Sequence, residues 1–253
     1  MNIPIPAVIT IPFAGTALGA LTALLLRRGL PESVNRACGG FAAGVMTAAS
    51  VWSLLLPAIA QAESGGLTGF FAVAGGFCAG ILCMILTETA INALYRKRNG
   101  KESALSGVAF LILAVTLHNV PEGLAVGVAC AGLAEGAAEA AGVTALSLGI
   151  ALQNIPEGAI ISLPLRTKGT GRMKACGAGA LSGAVEPAAA VIALLAASPI
   201  IRLMPFFLSA AAGAMLYVTV QELIPEAAEG GSRTGSLTFA AGFLLMMTMD
   251  VLL

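Results

Sequence analysis

The sequence predicts an all-α polytopic membrane protein, and three observations support this fold class. First, 58% of the 253 residues are hydrophobic and 10% are charged, against roughly 45–50% and about 25% in soluble domains. Second, the mean hydropathy of the chain is +0.93. Third, apolar stretches long enough to cross a hydrocarbon core, roughly 17–25 residues each, recur along the whole chain. We therefore expect a single transmembrane domain over residues 1–253.

Eight such stretches can be drawn, and each predicts one transmembrane helix. They contain Ala, Gly, Leu and Val without polar and apolar alternation, which favours helices over a β-barrel. The 31 glycines suit close contacts between helices in lipid. The predicted spans lie at about residues 3–26, 37–62, 67–95, 104–131, 141–165, 175–200, 204–228 and 237–253.

The basic residues predict which helix ends face the cytoplasm. Of the 13 Lys and Arg residues, all except Arg202 lie in the connections after spans one, three, five and seven. Because basic flanks are retained in the cytoplasm, this asymmetry places both termini outside. We expect a multi-pass protein of the cell's inner membrane, surrounded by the lipid bilayer. The net charge of zero gives no indication of nucleic-acid binding.

Two short polar segments interrupt the apolar spans: HNVPEG at 118–123 and QNIPEG at 153–158. Burying an ionisable side chain in a membrane costs about 2.5–3.5 kcal/mol, and no span offers a basic partner for Glu122 or Glu157. An ionisable residue in such a place predicts a functional site. The repetition predicts that the two segments are two parts of one site.

Helical spacing brings the polar side chains of each segment to one face. His118 lies four residues before Glu122, and Asn119 lies three before it, so the three share a stripe of the helix. Residues 153–157 repeat this arrangement. Span four runs outward and span five inward, so we expect an inverted-repeat relation in which the two stripes meet near the midplane.

The prolines and glycines of the two segments predict how the helices pack there. Pro121 and Pro156 lack an N–H, so each frees a carbonyl oxygen one turn earlier and kinks its helix. We expect Gly123 and Gly158 to let the two kinked helices approach each other. Span six adds Glu186, which again precedes a proline.

Carboxylates, amides and one imidazole form the ligand set of a divalent cation. Oxygen and imidazole ligands suit zinc, manganese and ferrous iron. The five cysteines form no CxxC pair, so the sequence does not predict a thiolate zinc site. Carboxylates this close cannot all stay ionised without a cation between them, and we expect protons to compete with the metal.

The paired segments, in the fourth and fifth of eight spans, resemble the ZIP (Zrt-/Irt-like protein) family of divalent metal transporters, most closely its prokaryotic GufA-like branch. The resemblance implies import of zinc and related ions through a binuclear centre between spans four and five. It also implies an elevator-like movement of the helices that carry the centre, and a homodimer. The metal would be the substrate, with no catalytic residue and no catalytic cofactor.

The resemblance also assigns individual residues. The first metal site, which draws on both segments, would consist of His118, Glu122, Gln153 and Glu157. The second site, which shares the two glutamates as bridges, would add Asn119, Asn154 and Glu186. Met46 is a candidate soft ligand of the first site, and Glu222 resembles an accessory metal-handling position near the cytoplasmic exit. Many relatives have histidine at position 153 and an acid at position 154, so this chain brings fewer charges to the second site.

Structural alternatives exist for several of these residues. Met46 fits core packing, Gln153 fits pairing of helices, and Glu186 fits a buried protonated acid. Glu88 and Asp250 are assigned no role.

Two other functional classes also place glutamate or histidine in membrane helices. An intramembrane metalloprotease needs an HExxH-like pair of ligands, which one histidine cannot supply. A proton-coupled transporter of an organic solute would use the glutamates as relays. Such a transporter usually has aromatic and basic residues for its substrate, which are scarce in these spans, so it is the alternative prediction.

Overall fold

The computed structural model describes a chain that is helical almost throughout. The described residues are 4–26, 30–98, 104–196, 203–229 and 233–252. Inside the helices, the description leaves out the side chains of residues 64, 94–98, 104–111, 114 and 118. No β-strand occurs in the described ranges. The predicted all-α class is confirmed.

In these ranges the chain forms twelve α-helices, several of which are pieces of one longer segment. They are α1 (Ile5–Ala20), α2 (Thr22–Leu25), α3 (Glu32–Ala49), α4 (Leu56–Ala62), α5 (Gly66–Arg98), α6 (Ala104–Ala134), α7 (Ala140–Thr167), α8 (Arg172–Ser182), α9 (Val185–Leu195), α10 (Met204–Val218), α11 (Ile224–Ala228) and α12 (Arg233–Leu252).

Seven segments of the described chain are long and apolar enough to cross a membrane. They correspond to all predicted spans except the fourth, and they are Ile5–Leu25, Glu32–Ala62, Gly66–Ala93, Ala140–Thr167, Arg172–Leu195, Met204–Ala228 and Arg233–Leu252. The fourth predicted span coincides with α6, a helix of 31 residues in which several side chains are outside the description. The count of eight spans and their orientation stay predictions.

Two spans contain a wide π-helical turn, and a proline accounts for each. The turn Ser50–Leu55 joins α3 to α4, and the turn Thr219–Leu223 joins α10 to α11. Pro57 and Pro225 follow these turns. A proline ring clashes with the carbonyl four residues earlier, which here lies inside the π turn, and the wider turn makes room for it.

Span six is interrupted, unlike the single helix drawn from the sequence. Helix α8 ends at Ser182, the chain turns at 183–184, and α9 then begins. Glu186 and Pro187 therefore lie in the first turn of a new helix. Proline is tolerated there because the first N–H groups have no helical partner. The positive end of the helix dipole also favours the Glu186 carboxylate at this position.

The helices form two groups, each packed mainly against its own members. The site bundle, as we call it, contains α1, α2 and α6–α9. The support bundle contains α3–α5 and α10–α12. Helices α3 and α10 make the main contacts between the bundles, against α7 and α6 respectively.

Glycines hold the helices of each bundle together. In the site bundle, a Cβ added at Gly15 would overlap the carbonyl oxygen of Ala151. In the support bundle, a Cβ at Gly44 would overlap the carbonyl oxygen of Phe239. Backbones this close tolerate only glycine, which is how helices in lipid gain packing contacts.

The contact between the bundles is of a different kind. Gly149 of the site bundle lies against the side chain of Met246, and Gly132 lies against the side chain of Met204. Methionine has an unbranched, flexible side chain that fills irregular gaps. The two glycine contacts within bundles are therefore rigid backbone contacts, whereas these two contacts between bundles use side chains that can rearrange.

Candidate metal centre

The two polar segments lie inside α6 and α7, and both helices continue through their prolines. Glu122 is 2% exposed, and Asn119, Gln153 and Asn154 are fully buried. Glu157 is partly buried. Buried polar groups need hydrogen-bond partners or ions. Their partners therefore define the chemistry of this region.

Gln153 and Glu122 form an amide–carboxylate pair between α7 and α6. Nε2 of Gln153 donates a hydrogen bond to Oε1 of Glu122 at 2.7 Å. The remaining oxygens, Oε1 of Gln153 and Oε2 of Glu122, are buried and have no hydrogen-bond partner. A flipped amide would set its oxygen against the carboxylate, so the hydrogen bond determines where the free amide oxygen points.

Asn119 and Glu186 form a second pair between α6 and α9. Nδ2 of Asn119 donates to Oε1 of Glu186 at 3.1 Å. Here too, Oδ1 of the amide and Oε2 of the carboxylate are buried without a hydrogen-bond partner. Glu186 is 1% exposed. The second pair therefore repeats the arrangement of the first.

Asn154 connects the two pairs. Its side chain lies within electrostatic reach of the carboxylates of both Glu122 and Glu186. Nδ2 also lies 3.5 Å from the carbonyl oxygen of Pro12 in α1. Oδ1 is buried and has no hydrogen-bond partner.

This group of residues therefore contains buried oxygen atoms that can accept hydrogen bonds but have no donor. They are Asn119 Oδ1, Glu122 Oε2, Gln153 Oε1, Asn154 Oδ1 and Glu186 Oε2. A buried acceptor left unsatisfied costs about 1–3 kcal/mol. Because a cation can satisfy several acceptors at once, the arrangement fits a divalent ion with oxygen ligands.

The negative charges of these carboxylates also favour a cation as the partner. The carboxylate of Glu122 is within electrostatic reach of those of Glu157 and Glu186. Among the side chains that the structure describes, no Lys or Arg lies within salt-bridge distance of Glu122 or Glu186. Negative charges gathered in a low-dielectric interior attract a cation strongly.

Among the described side chains, a metal centre at this place would need amide as well as carboxylate ligands. Within the described side chains, no three His, Cys, Asp or Glu groups are placed to hold a metal by themselves. The side chain of His118, the predicted imidazole ligand, lies outside the description, although its backbone is part of α6.

The two remaining predicted residues, Met46 and Glu222, have other described surroundings. Met46 is 2% exposed and packs in the main apolar core. Glu222 is exposed in the π turn Thr219–Leu223, within electrostatic reach of Tyr217 and Glu226. Neither makes a described contact with the amide–carboxylate pairs, so their roles as metal ligands stay predictions.

The expectation that Gly123 and Gly158 bring α6 and α7 together is wrong. Gly123 lies against the backbone of Glu186 in α9, and Gly158 lies against the backbone of Thr16 in α1. Each glycine therefore admits a neighbour that the sequence pattern did not indicate, because helix spacing alone does not show which partner a face meets.

Sequence reasoning missed Thr16. This fully buried residue donates its hydroxyl to Oε1 of Glu186 at 2.9 Å. One threonine in an apolar span is a weak signal, although its place among the small residues Gly15 and Gly19 marks a closely packed helix face.

A family model described as ZIP Zinc transporter matches residues 99–250, which is more than half of the chain. The chain belongs to the ZIP family. The resemblance drawn from the two polar segments is thereby confirmed, and both segments fall inside the matched region. ZIP proteins are transporters and not enzymes, as expected for this chain.

Named relatives from bacteria and vertebrates cover nearly the whole ZIP chain. Zinc transporter ZIPB of Bordetella bronchiseptica is 36% identical over 95% of this chain and 78% of its own length. Zinc transporter GufA of Myxococcus xanthus is 35% identical over 94% and 95%. Zinc transporter ZIP11 of Xenopus tropicalis is 34% identical over 93% of each chain.

The ZIP chain also provides partners for two acidic residues that had no predicted role. Asp250 accepts a hydrogen bond from Ser53 at 2.7 Å, and both line a cavity of about 450 Å³ that Gln61 also borders. Glu88 accepts a hydrogen bond from Tyr217 at 2.7 Å.

Proposed function

We propose that this ZIP protein imports Zn²⁺ and related divalent ions into the cytoplasm, across the inner membrane, through a binuclear centre between α6 and α7. The observation that carries the proposal is the pairing of Gln153 with Glu122 and of Asn119 with Glu186. In each pair the amide donates to one carboxylate oxygen, and both residues retain a free oxygen. A metal bound there would be the substrate.

The two pairs provide the two halves of the proposed centre. Glu122 and Gln153, joined by His118 and Glu157, would hold the first ion. Asn119, Asn154 and Glu186 would hold the second ion, with the carboxylates of Glu122 and Glu157 as bridges. Ligands of this kind accept zinc, manganese, ferrous iron and cadmium, so the range of substrates extends beyond zinc.

Movement of the site bundle against the support bundle would carry the ion. The backbone contacts within each bundle and the methionine contacts between bundles support such a relative movement. Metal would enter through the cavity bordered by Gln61 and Asp250, which lies at the predicted outer ends of its helices. A membrane potential, negative inside, favours inward transfer of two charges by about 4.6 kcal/mol per 100 mV.

Flux into proteoliposomes tests this function. Purified protein is reconstituted, and uptake of Zn²⁺, Cd²⁺, Mn²⁺ and Fe²⁺ is compared between wild type and a Glu122→Gln, Glu157→Gln double variant. Glu135→Gln, which changes an exposed carboxylate between α6 and α7, is the matched control. We expect wild type and control to transport metal and the double variant to lose most of the flux. Equal flux in all three would contradict the centre, and no metal flux in wild type would favour an organic substrate.

A further inference from the structure

The hydroxyl of Thr16 behaves differently from most hydroxyls in the helices of this protein. Thr10 and Thr47 donate to carbonyl oxygens of their own helices, three or four residues earlier. Thr16 instead donates to a carboxylate 170 positions away in the sequence. Such a helical hydroxyl usually satisfies itself locally, so the reach of Thr16 across the bundle points to a specific partner.

The partner is one oxygen of Glu186, and Asn119 donates to that same oxygen. The two hydrogen bonds measure 2.9 Å from Thr16 and 3.1 Å from Asn119. Because both donors meet at Oε1, the carboxylate is held in one orientation with Oε2 buried and unpartnered. A long side chain with several free torsions thus presents one fixed acceptor.

Thr16 is itself held in place by two glycines. A Cβ added at Gly158 would overlap the carbonyl oxygen of Thr16, and a Cβ at Gly183 would crowd its side chain, with Oγ1 at 2.7 Å. A β-branched side chain has few rotamers, and this socket restricts it further. Gly158 of the QNIPEG segment therefore allows the close packing that fixes the position of Thr16, which in turn orients Glu186.

We infer that Thr16 is a positioning residue of the metal centre, which holds Glu186 so that its second oxygen faces the second ion. This inference rests on the proposed function, because it concerns the same centre. Partners that orient a metal ligand typically change affinity or activity by 10–100-fold when they are removed. Thr16 makes no contact with the metal in this account and acts only through Glu186.

Three variants test the inference. Thr16→Val removes the hydroxyl and keeps the shape, Thr16→Ser keeps the hydroxyl, and Thr10→Val makes the same change at an exposed position of the same helix. Zinc flux into proteoliposomes and calorimetric zinc titration in detergent are measured for each. We expect Thr16→Val to raise KM for zinc and weaken binding by about tenfold, with Thr16→Ser and Thr10→Val close to wild type.

A double-variant comparison separates positioning from general stability. In a Glu186→Ala background, Thr16→Val is expected to cause little further loss, because the acceptor of the Thr16 hydroxyl has been removed. Equal effects of Thr16→Val and Thr16→Ser, or full additivity of Thr16→Val with Glu186→Ala, would overturn the inference. If wild type binds zinc but shows no flux, the transport proposal fails and the titration still decides the role of Thr16. If wild type binds no zinc at all, both fail.

Discussion

Gly123 lies directly against the backbone of Glu186, so the glycine of the first polar segment lets the start of α9 approach the proposed metal centre. Glu186 is also bonded by Asn119, four residues before Gly123 on the same helix. Helix α6 therefore contacts both the backbone and the side chain of Glu186. The PEG sequence therefore places the proposed ligand Glu122 directly before the glycine on which α9 packs.

Replacing Gly123 by alanine is expected to separate α6 from α9. The added Cβ meets the backbone of Glu186, which cannot move aside as a flexible side chain could, and overpacking typically costs about 1–3 kcal/mol. The zinc flux and the melting temperature of Gly123→Ala should both be lower than those of wild type. Gly177→Ala, where the Cβ enters open space in α8, provides the control, and equal behaviour of the two variants would contradict the contact.

Gln153 is expected to act both as a donor to Glu122 and as an oxygen ligand. Gln153→Leu removes both roles and leaves Glu122 without its hydrogen bond, so zinc uptake should fall by about tenfold or more. Gln153→His supplies a nitrogen ligand and should retain zinc uptake while lowering manganese uptake relative to zinc. Competition uptake assays give the ratios, with Gln221→Leu at an exposed position as the control. Unchanged uptake in Gln153→Leu would show that this amide is only structural.

The two kinds of glycine contact predict different tolerance to alanine. Gly15→Ala places a methyl group against the backbone of Ala151 and should lower the melting temperature. In Gly149→Ala, the added methyl group contacts only the flexible end of the Met246 side chain, so the melting temperature should stay close to that of wild type. Thermal unfolding in detergent compares the two variants. Equal loss at both positions would contradict the distinction between rigid bundles and an adjustable contact.

Metal binding is expected to stabilise the folded protein through the same residues. A ligand at 100 times its Kd stabilises the state that binds it by about 2.7 kcal/mol. Zinc should therefore raise the melting temperature of wild type, and a chelator should reverse the rise. The Glu122→Gln, Glu157→Gln variant should show little response. A similar rise in that variant would place the stabilising ion elsewhere.

Much of this architecture can be predicted from the sequence because composition and spacing carry the signal. Hydropathy identifies the spans, and the spacing of Asn119 and Glu122 places both on one face of α6. The interruption of span six is harder to predict. Its sequence signal is limited to Gly183 and Pro187, which lie inside an otherwise apolar run.

Partners between distant helices could not be predicted in the same way. A single hydroxyl such as that of Thr16 has no periodic pattern, and its partner Glu186 is 170 residues away. The same limit led to the wrong partners for Gly123 and Gly158. Which side of a helix meets which neighbour depends on the packing of the whole bundle, and local spacing does not contain that information.

The most direct test of the central claim is the position of zinc in crystals of the purified protein soaked with the ion, from anomalous scattering at the zinc absorption edge. The account predicts a peak about 2.0–2.2 Å from Oε2 of Glu122, with Oε1 of Gln153 also among its ligands. A second peak is predicted beside Asn119 and Glu186. Zinc peaks found only at exposed carboxylates such as Glu222, with none between α6 and α7, would contradict it.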